Sequence, residues 1–167
     1  MKKLNNFGMT LMELIVSVAL ISVIMIFMYK LIADVRSDKN ENDKLTDNII
    51  KISEIEVEVQ NLIIKENVSE VTLGDGSIEF PNLNINFSKE NDNVIITLDK
   101  NKDGVADKKW TLENLSLGNY CYSGITNGSV NLKINLNSGD KTLYAIEIPY
   151  YSSFLTTFNT GSWNECD

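Results

Sequence analysis

Residues 10–65 read TLMELIVSVALISVIMIFMYKLIADVRSDKNENDKLTDNIIKISEIEVEVQNLIIK. No glycine or proline occurs from Met9 to Leu73, and these two residues most often interrupt helices. The second half of the segment carries an apolar stripe at intervals of three and four residues, which is helical spacing: Leu45, Ile49, Ile52, Ile55, Val59 and Leu62. We predict one helix from Thr10 to Lys65, roughly 84 Å long. Its first half is apolar all round and its second half amphipathic, with the glutamates at 54, 56 and 58 forming a solvated face.

The first half of this helix is long and apolar enough to cross a membrane. Glu13 and Lys30 are the only charged residues of the 24 in range 9–32, and about 20 apolar residues span a bilayer. We expect Ser17 and Ser22 to bond back to the helix backbone. A carboxylate at bilayer depth is costly and commonly marks function, so Glu13 is the most informative residue of the segment.

The residues before this helix form a short polar leader. Met1–Gly8 contains Lys2 and Lys3 and lacks the apolar core of an ordinary secretory signal. The positive-inside rule places these lysines in the cytoplasm and the chain after Lys30 on the other side of the membrane.

The run Phe7-Gly8-Met9-Thr10-Leu11-Met12-Glu13, with the apolar run behind it, resembles the class III signal of type IV pilins and of the pseudopilins of type II secretion and competence systems. In that family a prepilin peptidase cleaves after the glycine, the new amino terminus is N-methylated, and the glutamate helps the subunit enter the filament. The resemblance implies cleavage between Gly8 and Met9, methylation of Met9, and an assembly role for Glu13. An ammonium at Met9 of one subunit can neutralise Glu13 of a neighbour. The alternative is a plain signal anchor with an incidental glutamate.

Beyond residue 70 the apolar period changes to two, which predicts short strands joined by tight turns and hence a mostly antiparallel sheet. The expected strands cover 71–73, 78–80, 83–87, 94–98, 110–112, 130–136 and 143–148. A long helix against such a sheet is an α+β fold, which the resemblance also implies. The expected organisation is a leader at 1–8, a transmembrane and assembly helix at 9–32, an amphipathic extension at 33–66 and an extracellular β-rich domain at 67–167.

The stretch Asp99-Lys100-Asn101-Lys102-Asp103-Gly104-Val105-Ala106-Asp107 lies between two predicted strands. Asp99, Asn101, Asp103 and Asp107 stand at the first, third, fifth and ninth places of an EF-hand-type calcium loop, with glycine at the sixth. The twelfth place is occupied by tryptophan instead of the bidentate glutamate, and Glu113 is a possible substitute. The pattern predicts a calcium site with an affinity of about 10⁻⁴ to 10⁻³ M. The alternative is a plain Asp/Asn/Gly turn.

Composition narrows the range of functions. The chain has no histidine, the usual general base and commonest metal ligand, and we expect no enzymatic activity and no organic cofactor. Loss of the leader leaves 13 Lys and Arg against 23 Asp and Glu, a side-chain charge of about −10. That charge argues against direct binding of nucleic acid. Cys121 and Cys166 lie in the exported part, which favours a disulfide; two free thiols are the alternative.

The resemblance implies a structural subunit. Because the anchor lacks the proline common in abundant pilins, we expect a minor pilin or minor pseudopilin. Its partners would be other pilin or pseudopilin subunits, the prepilin peptidase and the filament assembly platform, with the cytoplasmic membrane holding it before it joins an extracellular filament. The alternatives are a major pilin, a competence pseudopilin that scaffolds DNA uptake, and an unprocessed membrane-anchored binding module.

Overall fold

The computed structural model describes residues 10–66, 69–126, 129–151 and 157–166. The predicted helix is present as α1, Leu11–Glu66, within one residue of both expected ends. The chain divides into two compact units, Met1–Leu45 and Thr46–Asp167, and α1 contributes to both. In the first unit, residues 11–45 are helical, and the large apolar side chains of residues 11–32 are exposed.

The second unit contains ten strands in two sheets. Their bounds are β1 Glu70–Gly74, β2 Ser77–Phe80, β3 Leu83–Glu90, β4 Asn93–Asp99, β5 Lys108–Leu112, β6 Ser116–Thr126, β7 Ser129–Ser138, β8 Lys141–Tyr151, β9 Thr157–Asn159 and β10 Asn164–Glu165. One sheet has the order β5-β4-β3-β2-β1-β9 and the other β10-β6-β7-β8. Neighbours pair antiparallel except for β1 with β9 and β6 with β10, so the expected α+β fold with a mostly antiparallel sheet is confirmed.

The core of this unit lies between the sheets and one face of α1. Ile52, Ile55, Val59 and Ile63 supply the helical side and are buried. In β7 the partly exposed and buried residues alternate from Ser129 to Asn137, as the two-residue period predicts. Removing these alternating side chains from water is the main favourable contribution to folding.

Side chains of α1 also bond to the outer strands of both sheets. Asn48 is buried, donates from Nδ2 to the carbonyl of Glu113 at 2.9 Å and accepts from its amide at 3.0 Å, just beyond β5. Lys51 donates to the β5 carbonyl of Thr111 at 2.9 Å. On the other sheet, the β8 amide of Glu147 donates to Oε1 of Glu56 at 2.8 Å. The helix therefore satisfies backbone groups at two strand edges that are otherwise liable to pair with other chains.

The C-terminal segment connects the remaining edges. β9 lies parallel to β1, and β10 lies parallel to β6. Between them, Trp163 is buried, donates from Nε1 to the Gly74 carbonyl at 2.8 Å and stacks on Tyr120 with ring centroids 5.2 Å apart. Gly161 has φ +52° and packs against the Leu73 carbonyl, where a Cβ has no room. Residues 157–166 thus pair with one strand of each sheet and hold the two sheets together.

Candidate functional site

The start of α1 is built as a capping box. Thr10 is the N-cap: its Oγ1 accepts from the Glu13 amide at 3.3 Å, while Oε2 of Glu13 accepts from the Thr10 amide at 2.8 Å and from Oγ1 at 2.9 Å. This reciprocal arrangement satisfies amides that have no partner inside the helix. The Thr-x-x-Glu spacing in the sequence is its signature, although we did not predict the cap from it. Glu13 therefore stabilises the start of its own helix through contacts within the chain.

The remainder of the apolar segment presents an uninterrupted helical surface. Ser17 Oγ donates to the Glu13 carbonyl at 2.7 Å and Ser22 Oγ to that of Val18 at 2.8 Å, which confirms that both hydroxyls bond back to the helix. By length and composition, the helix that contains this segment is able to cross a membrane. Gly8 and Met9, the expected processing and methylation residues, lie outside the described part of the chain, so their roles stay predictions.

The predicted calcium loop joins β4 to β5 and is closed by its own hydrogen bonds. The buried Asp99 carboxylate accepts from the amides of Asn101 at 3.2 Å and Gly104 at 2.9 Å. Asp103 accepts from the Val105 amide at 2.8 Å, and Asp107 from that of Lys100 at 2.6 Å. Carboxylate and amide oxygens are the ligand type that calcium takes.

The side chains of the loop are not gathered around one point. Across the described ranges, no group of three or more His, Cys, Asp and Glu residues is placed to hold a metal ion. The buried Trp110 takes the twelfth position. Glu113 follows the far end of β5, six residues from Asp107, or about 20 Å along an extended strand, so the structure does not bring it to the loop. Calcium binding stays a prediction.

Both flanks of the loop are tied to α1 through Glu58. Its Oε1 lies 2.9 Å from Lys100 Nζ and its Oε2 lies 3.1 Å from Lys108 Nζ. Hydrogen bonds donated by Lys100 and, to a smaller extent, by Lys108 lower the pKa of Glu58 below its ordinary value. Glu54 lies 3.7 Å from Lys108. The expected solvated face at 54, 56 and 58 is therefore wrong in part, because these carboxylates contact the two sheets.

The two cysteines are joined, as the sequence favoured. Cys121 of β6 and Cys166 form a disulfide with Cα atoms 5.0 Å apart. The Cys166 amide also donates to the Tyr122 carbonyl at 2.9 Å, which extends the pairing of β10 with β6. The disulfide therefore links the C-terminal segment that contains Trp163 covalently to β6.

Comparison with known proteins places a family motif on the N-terminal segment. Residues 3–29 match the family model described as the prokaryotic N-terminal methylation motif. The match covers Gly8, Met9 and Glu13 and supports the class III prepilin signal of type IV pilins and pseudopilins. No curated protein and no solved structure gives a match. The motif implies processing by a prepilin peptidase and assembly with other pilin-type subunits. Together with the apolar helix, it fits a membrane-anchored protein with a C-terminal domain.

Proposed function

We propose that this chain is a minor pilin or minor pseudopilin, a structural subunit of a type IV pilus or of a type II secretion-like filament. The observation that carries the proposal is the position of Glu13 within the methylation motif, at the start of an exposed apolar helix. Cleavage between Gly8 and Met9 creates an ammonium that pairs with Glu13 of a neighbouring subunit. This pairing neutralises a charge that is costly in an apolar bundle.

The same helix serves two environments in this proposal. Before assembly the segment 9–32 anchors the subunit in the cytoplasmic membrane, with residues after Lys30 on the outer side. The assembly platform then transfers the helix from lipid into a filament, where its apolar side chains pack against those of other subunits. The sheets and the disulfide belong to the extracytoplasmic part, an oxidising setting in which disulfides persist.

Three other functions make different predictions. A major pilin would dominate purified filaments by mass. A competence pseudopilin would be required for DNA uptake without binding DNA itself, in keeping with the acidic charge. A membrane-anchored binding module would keep its leader, and replacement of Gly8 would change neither its size nor its activity.

The proposal is tested by the mass and N-terminal sequence of the protein recovered from membranes and from sheared filaments. A chain that begins with N-methylated Met9 and is a small fraction of filament protein is the expected result. A chain that still begins at Met1, in cells whose prepilin peptidase is active, contradicts it.

We also propose weak calcium binding by the loop between β4 and β5. The support is the oxygen-rich pattern of Asp99, Asn101, Asp103 and Asp107 and the hydrogen bonds that hold three of these side chains against the loop backbone. Each carboxylate has about four lone-pair sites, so these bonds leave acceptor capacity for a cation.

A further inference from the structure

A polar groove of about 520 Å³ lies on the four-stranded sheet, where β10, β6 and β7 run side by side. Three asparagines line it, one from each strand: Asn164 of β10, Asn119 of β6 and Asn135 of β7. Asn135 stands between the buried Ile134 and Leu136, so it lies on the face of the sheet that points away from the core. We call this site the amide groove.

The three amides of the groove keep their full hydrogen-bonding capacity. Within the described ranges, the side chains of Asn119, Asn135 and Asn164 form no hydrogen bond to another group of the protein. An asparagine side chain offers two donor hydrogens and one acceptor oxygen. Asn137, further along β7, differs because its Oδ1 accepts from the Thr142 hydroxyl at 2.9 Å. The groove therefore presents donors and acceptors that the fold itself does not use.

Asparagine is an unusual choice for the strand that forms the centre of this site. β7 is an interior strand, with β6 on one side and β8 on the other, and asparagine is depleted in strands. It nevertheless carries asparagine at three partly exposed positions: Asn131, Asn135 and Asn137. Departures from local preference are expected where a residue serves a function. Asn86 of β3 has the same residue type on the other sheet and supplies an internal comparison.

The charges at the groove disfavour an acidic ligand. Lys133, which lines the groove, has its Nζ 3.2 Å from Oε1 of Glu147 on the neighbouring strand. Glu165 adds a second carboxylate, so one lysine stands against two glutamates. A phosphate or carboxylate ligand would meet net repulsion there. A neutral ligand rich in hydroxyl groups fits better, because a hydroxyl both donates and accepts, as an asparagine amide does.

The disulfide fixes one wall of the groove. Cys121 and Cys166 both line it, and β10 pairs with β6 through Asn164 and Glu165 alone. The covalent bond next to this short strand holds Asn164 in place relative to Asn135. A wall that is already ordered lowers the cost of binding a ligand.

We propose that the amide groove binds a neutral oligosaccharide, with Asn135 and Asn164 exchanging hydrogen bonds with its hydroxyl groups. The volume of the groove falls within the range of about 300–1,000 Å³ that is usual for small-molecule sites. Because α1 packs on the other side of the sheet, a subunit held through its helix leaves the groove accessible. Binding requires neither leader cleavage nor assembly, so the site goes beyond the proposed filament function and its test is independent of that function.

Titration of the full-length protein with trisaccharides tests the site. The protein is kept in a detergent without a sugar headgroup, since such a headgroup would compete. The neutral probes are cellotriose, maltotriose, mannotriose and chitotriose, and trigalacturonate is the acidic comparison. Isothermal titration calorimetry measures the affinities. We expect at least one neutral probe to bind with a dissociation constant below about 1 mM and trigalacturonate to bind at least about tenfold more weakly.

Substitutions in the groove supply the second measurement. Asn135→Ala and Asn164→Ala should each weaken binding about two- to tenfold, and the double variant at least about fivefold. The matched control Asn86→Ala, an exposed asparagine of β3, should bind like the parent. All variants should melt at the temperature of the parent, which separates loss of binding from loss of folding. No binding of any neutral probe below about 10 mM, equal binding of trigalacturonate, or unchanged affinity of the double variant overturns the inference.

Discussion

Thr10 and Glu13 hydrogen-bond to each other in both directions at the first turn of α1. The carboxylate accepts from the Thr10 amide at 2.8 Å, and the Glu13 amide donates to the Thr10 hydroxyl at 3.3 Å. Glu13 therefore has a structural role in one subunit in addition to the charge-pairing role proposed between subunits. The two roles are separable because a glutamine side chain also completes a capping box.

Glu13→Gln keeps the cap and removes the charge, whereas Thr10→Ala removes the cap hydroxyl and keeps the charge. We expect Glu13→Gln to lower filament incorporation at least about tenfold, because the neighbour's ammonium loses its partner in an apolar bundle. Thr10→Ala should assemble normally, and leader cleavage should persist in both. Quantitative blots of membranes and sheared filaments measure this. Normal assembly of Glu13→Gln with failure of Thr10→Ala would assign the effect to the cap.

The paired hydrogen bonds between Asn48 and the backbone of Glu113 give a stability prediction. Asn48→Ala leaves an amide and a carbonyl without this partner at a buried position, and we expect the free energy of unfolding to fall by about 1–3 kcal/mol. Asn86→Ala, at an exposed position of β3, is the matched control and should change it little. Urea unfolding of the full chain in detergent measures both. If the two substitutions lower the free energy of unfolding equally, the hydrogen bonds of Asn48 contribute no more to stability than an exposed asparagine does.

The Cys121–Cys166 disulfide should account for a large part of domain stability. It closes a loop with a sequence separation of 45, for which the chain-entropy model gives about 4 kcal/mol. We expect reductant to lower the melting temperature of the parent protein and to shift Trp163 fluorescence to the red as its ring leaves Tyr120. The double variant Cys121→Ser with Cys166→Ser should melt at the lower temperature with or without reductant. If reductant also lowers the melting temperature of that variant, the loss of stability in the parent protein is not due to this disulfide.

The local parts of this fold are readable from the sequence, and the parts that depend on distant residues are not. α1 was predictable because no glycine or proline interrupts it and its apolar spacing is regular. β6 was missed because Gly118 and Gly124 and its register shifts break the alternation. β9 and β10 have three and two residues, too few to show a period, and they form beside partners far away in sequence.

The candidate functional residues show the same contrast between patterns that are contiguous in sequence and contacts between distant residues. The motif with Glu13 and the loop from Asp99 to Asp107 are contiguous, so their patterns are visible without a structure. The contacts of Glu58 are not, because Lys100 lies 42 residues further along the chain. Ile50, Val57 and Ile64 also form a seven-residue repeat in the printed sequence. Only the structure shows that it faces solvent while the stripe through Ile55 is buried.

The ion pairs of Glu58 predict a pH-dependent contribution to stability. The folded state lowers the pKa of Glu58 below its ordinary value of 4.5, so the contribution is present above that pH and is lost as the pH falls through the folded-state pKa. We expect Glu58→Gln to lower the free energy of unfolding by about 0.5–1 kcal/mol at pH 7 and to have no effect in acid. Glu79→Gln should cost less, since Glu79 has one lysine at 3.9 Å. A difference that does not change with pH would exclude the carboxylate charge as its source.

Calcium binding by the loop is tested by thermal or urea unfolding in calcium and in chelator. If the dissociation constant lies between 10⁻⁴ and 10⁻³ M, roughly 10 mM calcium should stabilise the domain by about 1.4–2.7 kcal/mol. Asp103→Asn with Asp107→Asn keeps oxygen acceptors for the amides of Val105 and Lys100 but removes two charges, and it should abolish most of the calcium-dependent difference.

The control for that experiment is Asp75→Asn, in the turn between β1 and β2, which should respond to calcium like the parent. Magnesium at the same concentration should stabilise less, because it prefers a rigid octahedral site and keeps its water ligands. Because the loop carboxylates already bond to backbone amides, alanine variants would destabilise the domain even without an ion, and only the calcium-dependent part of the change is informative. Parent protein that unfolds identically in calcium and in chelator would establish the loop as a hydrogen-bonded turn between β4 and β5.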